Sequence, residues 1–115
     1  QPLQIQLDAN RIPALPGALE LLAAGYASSL APANRRAWSL LDPQEPDGPQ
    51  PAVCLHLGEY KAGSKSHRSL LELLIDPQTC GPLLISVTPS LAKSLLAQPG
   101  QSWQAIGRVT QLPMS

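Results

Sequence analysis

The chain has 115 residues, 43% hydrophobic and 14% charged, with 13 Pro and 8 Gly, and its eight basic and eight acidic residues cancel. That length fits one domain able to bury roughly two-thirds of its unfolded surface, enough for a core without disulfides or metal. Charge balance and a pI near 6.9 argue against nucleic-acid binding, which needs a basic footprint, and so few charges argue against highly charged disorder.

Residues 3–8 alternate Leu3, Ile5 and Leu7 with polar neighbours, the period-two pattern of a half-buried strand. Arg11 to Pro16 is too proline-rich to continue a sheet. Pro16 suits a first helical turn, Ala18 to Ala23 are good helix formers, and Gly25 suits the position just past the helix end. Asn34 is read as the cap of a short helical run through Trp38, Leu40 and Leu41. Residues 42–51 hold four prolines and read as a surface loop. Ala52 to Leu57 reads as a strand and Gly58 to Ser64 as a turn. Ser66 is read as the cap of a helix carrying Leu70, Leu71, Leu73, Leu74 and Ile75, which ends before Asp76-Pro77. Leu83 to Val87 is a continuous apolar run of strand length, expected to be buried on both faces. Thr88-Pro89 caps and opens a helix running to about Ala97, and Pro99-Gly100 stops it. Trp103 to Val109 is the last strand, with Gly107 as a candidate bulge. The order is strand, helix, irregular insert, helix, strand, helix, strand, without internal repeats: a sheet covered by helices.

No stretch approaches the roughly 18 apolar residues of a membrane span, and no basic and apolar leader precedes the first strand. Cys54 and Cys80 make no disulfide framework and have no metal-type spacing, so a reduced, cytoplasmic setting is expected. The opening at Gln1, without an initiator Met, reads as a fragment or a processed product.

Few residues carry chemistry. His56 and His67 lack companion ligands at familiar spacings; His56 reads as a strand or loop residue and His67 as a solvated helix-start residue. Lys61, Lys65, His67 and Arg68 form a basic stretch that can meet phosphate or simply line a wet loop. Cys80 is either a nucleophile activated by a nearby cation or helix end, or a small packed residue. Glu20 and Glu72 are expected to face water. The segment Asp76-Pro77-Gln78-Thr79-Cys80-Gly81-Pro82-Leu83-Leu84 links a helix to an apolar run with residues that form turns and offer oxygens or backbone N–H groups.

That segment closely resembles the DPQTSGGLL motif of the C-terminal domain of selenophosphate synthetases (selenide, water dikinases). Ile12 to Glu20 resembles the family's LPGALEL stretch, and Ala33-Asn34-Arg35-Arg36 is similar to a segment before a short helix. Ala105-Ile106-Gly107-Arg108-Val109 matches its closing AIGRV strand. The four segments occur in family order and span most of the chain; residues from about 42 to 65 correspond to little in the family and read as an insertion. Hydrogenase-maturation and thiamine-phosphate kinases share the architecture but fit these segments worse.

The resemblance implies an α+β fold, a three-layer α/β/α arrangement with a mixed sheet like the C-terminal domain of aminoimidazole ribonucleotide synthetase. Residues 1–115 would form that single domain. The whole enzyme, a homodimer through its N-terminal domains, uses ATP, selenide, water and Mg²⁺ to make selenophosphate, AMP and phosphate. The catalytic Cys or selenocysteine, its following lysine, the glycine-rich loop and the metal-binding aspartates belong to the N-terminal domain. Phosphoryl transfer rests on positioning and charge neutralisation, so this chain alone is expected to bind no ATP or Mg²⁺ and to be inert. Its partner would be the N-terminal domain, with no nucleic acid and no membrane span. By analogy, Arg35, Asp76, Gln78, Thr79 and Gly81 are the candidate cleft or interdomain contacts. One departure is Cys80-Gly81-Pro82 in place of Ser-Gly-Gly, because Pro82 removes an N–H donor and fixes φ near −65°. A second reading therefore stays open: a non-catalytic docking or regulatory module of a diverged relative, fused for example to a flavin-dependent oxidoreductase.

Overall fold

A computed structural model describes residues 3–41, 51–77 and 83–112. The architecture is α+β. Strand β1 (Leu3–Asp8) leads through a 3₁₀ turn (Ala9–Arg11) to helix α1 (Ala18–Ala23). Helix α2 (Ala31–Asn34) continues through a second 3₁₀ turn into α3 (Trp38–Leu41). Strand β2 (Val53–His56), helix α4 (Lys65–Ile75), helix α5 (Pro89–Leu96) and strand β3 (Gly107–Gln111) complete the chain. The described strands form one mixed sheet in the order β2-β1-β3, with β1 parallel to β2 and antiparallel to β3.

Local signals set several boundaries as read. Gly25 follows α1 in the left-handed region, at φ 99°. Its N–H donates to Leu22 O and that of Tyr26 to Leu21 O, the Schellman pattern that satisfies the last carbonyls of a helix. Thr88 Oγ1 accepts the Leu91 N–H at 3.3 Å ahead of Pro89. Helix α4 stops at Ile75, before Asp76-Pro77.

Other readings are corrected. Ser64, not Ser66, caps α4: Ser64 is extended and its Oγ accepts the His67 N–H. Ser66 lies inside the first turn because the left-handed Gly63 places the chain reversal two residues earlier. His67 is buried rather than solvated, since its Nδ1 accepts the Gly63 N–H at 3.0 Å. The His67 side chain thus reaches back as the acid or amide of a capping box does. Asn34 caps no following helix; it ends α2 and its side chain points to α4.

Leu83 to Val87 joins no ladder among the described residues, and Leu83, Leu84 and Ile85 are exposed. An apolar run becomes a buried strand only where both faces find cover, and nothing described covers this one. The last strand begins at Gly107 rather than Trp103. Gly107 is no bulge, because the register runs one to one from Leu3 opposite Gln111 to Leu7 opposite Gly107.

The period-two alternation of β1 is present, but the covered side is the polar one. Gln4 is 7% exposed, whereas Leu3 and Ile5 are 59% and 43% exposed. Gln4 Nε2 donates to Pro51 O at 3.0 Å, and Gln6 Nε2 donates to Thr110 Oγ1 at 3.3 Å across the ladder. The apolar side carries Leu3, Ile5 and Leu7, with Val109 directly opposite Ile5. Among the described residues the buried apolar core is small and mainly helical instead: Leu70, Leu71 and Ile75 of α4, with Ala9 and Ala31. Helix α1 packs on α4.

Candidate functional site

The two described residues among the family-derived contacts, Arg35 and Asp76, come to the same end of α4. Asp76 is the C-cap of that helix. Asn34 Nδ2 donates to Ile75 O at 2.9 Å, and Trp38 Nε1 donates to Leu71 O at 3.2 Å, so α2 and α3 are tied to the last turns of α4. Between these ties, Arg35 Nε donates to Glu72 Oε1 at 2.7 Å, and the guanidinium lies 5.8 Å from the Trp38 ring centroid. Glu72 therefore turns inward, its side chain only 14% exposed, instead of facing water. Its Oε2 is buried without a hydrogen-bond partner among the described residues. Arg35 is committed to this ion pair and to the aromatic face, which makes the cluster a brace between helices. Gln78, Thr79, Gly81, Cys80 and Pro82 lie outside the described residues, as does the loop from 42 to 50.

A second constellation arises where the parallel strands β1 and β2 end. Asp8 and His56 are register partners at their carboxyl ends. A cleft of about 440 Å³ opens there, lined by Gln6, Asp8, Arg11, His56, Gly107 and Arg108 among others. Arg108 is opposite Gln6 in the ladder, which puts it on the face that also carries Asp8 and His56. The surrounding loops are tied down. Asp8 Oδ1 accepts the Asn10 N–H at 3.1 Å, and Asp8 N–H donates to Ile106 O at 2.8 Å. Asn10 Oδ1 accepts the Glu59 N–H at 3.3 Å, joining the loops that follow β1 and β2.

Two glycines permit these approaches. A Cβ at Gly58, which is also left-handed, would overlap the Asn10 side-chain amide, and one at Gly107 would overlap the Gln6 carbonyl oxygen. Arg11 Nε lies 3.4 Å from Asp8 Oδ2 in an exposed pair. On the same sheet face, Cys54 Sγ is 3.9 Å from His56 Nε2.

Sequence reasoning did not single out this cleft. Apart from Arg11, which follows β1 directly, its groups come from three strands far apart in sequence, and the pairing register reveals which of them share a face. The basic stretch that it did single out does not act as one patch: His67 is turned inward, while Lys61, Lys65 and Arg68 stay exposed.

Among the described residues no three His, Cys, Asp or Glu side chains converge as a metal site would require, so no step through Mg²⁺ is assigned to them. Among these residues, too, no helix is long and apolar enough to cross a membrane. Comparisons of the chain with protein-family models, curated proteins and solved structures found no match.

Proposed function

We propose that this chain is the C-terminal domain of a selenophosphate synthetase and completes an enzyme whose ATP- and Mg²⁺-handling groups reside in a separate N-terminal domain. The support is the order of the four family-like segments and the elements they fall on. The LPGALEL-like stretch enters α1, the segment around Asn34 and Arg35 meets the end of α4, Asp76-Pro77 follows α4 directly, and Gly107 to Val109 pair with β1. A three-layer arrangement like that of aminoimidazole ribonucleotide synthetase belongs to this reading.

The observation that carries it is the uncovered apolar side of the sheet, where Leu3, Ile5 and Val109 form a contiguous exposed row. A domain that finished its own burial would turn that side inward. Docking of the N-terminal domain against this row supplies the missing cover. In that assembly the chain shapes and closes the interdomain cleft, and the N-terminal domain performs phosphoryl transfer.

The test has two parts. The sequence encoded upstream of Gln1 is expected to carry a Cys or selenocysteine followed by a lysine, and a glycine-rich loop. The protein including that region should release AMP from ATP in a selenide-dependent manner, while the 115-residue chain alone stays at the buffer blank. AMP release by the isolated chain, or an upstream region without these groups, overturns the reading. Cys80-Gly81-Pro82, where the family has Ser-Gly-Gly, favours the second reading, a non-catalytic docking or regulatory module. That reading predicts no selenide-dependent AMP release by the whole protein.

A further inference from the structure

We propose that the cleft at the carboxyl ends of β1 and β2 binds a phosphate-class oxyanion, gripped by Arg108 and Arg11 with the His56 imidazole as a third polar contact. The inference rests on this cleft alone and does not depend on the enzyme assignment above.

Position comes first. In open sheets with parallel strands, ligands settle in the crevice beyond the strands' carboxyl ends, and Asp8 and His56 occupy those ends side by side. Charge comes second. The cleft holds two guanidinium groups and one carboxylate, so it is net positive in a chain whose charges cancel overall. The Asp8–Arg11 pair does not use up that excess. It is loose, at 3.4 Å, with both side chains well exposed, and such surface pairs hold weakly. The contact is through Arg11 Nε, which leaves the terminal NH₂ groups for another acceptor. Arg108 has no carboxylate within ion-pairing distance among the described residues.

Rigidity comes third. The backbone bond from Asp8 to Ile106 and the close approach of Gly107 to Gln6 fix where Arg108 leaves the sheet. The Asn10–Glu59 bond joins the loops that follow β1 and β2, the strands that bring Asp8 and His56 to the cleft. Two guanidinium forks lining one cleft favour an anion with several oxygens, and phosphate offers more than a carboxylate does.

The experiment is an amide-resolved NMR titration of the 115-residue chain with inorganic phosphate, AMP and acetate in parallel, at constant ionic strength to remove bulk screening. Phosphate is expected to shift the amides of Asp8, Asn10, Gly107 and Arg108 saturably, with a dissociation constant below about 1 mM. Arg108→Gln and Arg11→Gln should each weaken it roughly tenfold, the loss of a charge-assisted contact. The same spectra report whether a variant is folded; should Arg108→Gln unfold, the exposed Arg11→Gln carries the test. Equal binding of phosphate and AMP identifies the bare anion as the ligand, and much tighter AMP identifies a phosphoryl group on a larger molecule. Unchanged affinity in the folded variants, shifts spread over the exposed lysines, acetate binding as tightly as phosphate, or no saturable shift with any probe overturns the proposal.

Discussion

The side chain of Asn34 closes the end of a helix 41 residues away, its Nδ2 donating to the Ile75 carbonyl at 2.9 Å. The last carbonyls of a helix need such donors, and the Pro77 that follows cannot supply one from its own backbone. Asn34→Ala is expected to cost about 1 to 2 kcal/mol, measured by urea denaturation. Asn34→Asp separates this role from helix initiation. An aspartate serves well as an N-cap but has no donor for Ile75, so it should lose as much stability as the alanine. Recovery to the wild-type midpoint with Asp would refute the assignment.

At the start of α4, Ser64 Oγ accepts the His67 N–H, and His67 Nδ1 in turn accepts the N–H of Gly63. Ser64→Ala should cost about 1 kcal/mol, whereas Ser66→Ala should change stability by less than about 0.5 kcal/mol. Thermal denaturation of the two variants decides which serine is the cap.

Gly107 lies against the Gln6 carbonyl with no room for a methyl group. Gly107→Ala should therefore separate β3 from β1 at that end, costing on the order of 2 kcal/mol. Hydrogen exchange is the readout: protection should fall for the amides paired between β1 and β3, while α4 keeps its own.

Arg35 and Glu72 form a partly buried pair whose second carboxylate oxygen has no partner among the described residues. Arg35→Ala should destabilise by about 1 kcal/mol or more, because it strands a half-buried charge. The double variant Arg35→Met with Glu72→Leu should recover most of that loss, since removing both charges also removes their desolvation cost. A double variant worse than the single one would show that the ion pair itself stabilises the brace.

In the whole protein, Ile5→Glu places a charge in the exposed apolar row of the sheet. The isolated chain should change by less than about 0.5 kcal/mol, while the proposed interdomain contact should weaken and selenide-dependent AMP release fall. Pro82→Gly tests the other departure from the family. A rise in turnover would tie that loop to catalysis, and no change would leave it a structural connection.

The punctuation of this chain was legible because it is local. Gly25, Thr88-Pro89 and Asp76-Pro77 act on their own backbone within a few residues, so composition suffices to place them. The alternation of Leu3, Ile5 and Leu7 correctly marked a strand. Periodicity says that two sides differ, however, and not which side finds a neighbour, so the covered face was read the wrong way round. Leu83 to Val87 misled for the same reason, since apolar content does not provide a pairing partner. Of the family-derived contacts, Arg35 and Asp76 meet at one helix end, but the Glu72 that engages Arg35 lies 37 positions away and carries no local mark. The cleft was least visible, because Asp8, His56 and Arg108 share a face only through ladders that pair Asp8 with His56 and Gln6 with Arg108, far apart in sequence.

The strand order has a consequence for synthesis. Of the three described strands, the first to be made occupies the middle of the sheet, and its partner β3 is the last of the three. Until then β1 can satisfy only its β2 side, and its other row of N–H and C=O groups waits, open to any extended segment nearby. Closing a pair more than a hundred residues apart in sequence is slow. While β3 is still unmade, the flank of β1 that it will cover therefore stays open, and that is the stage at which a chaperone would matter most.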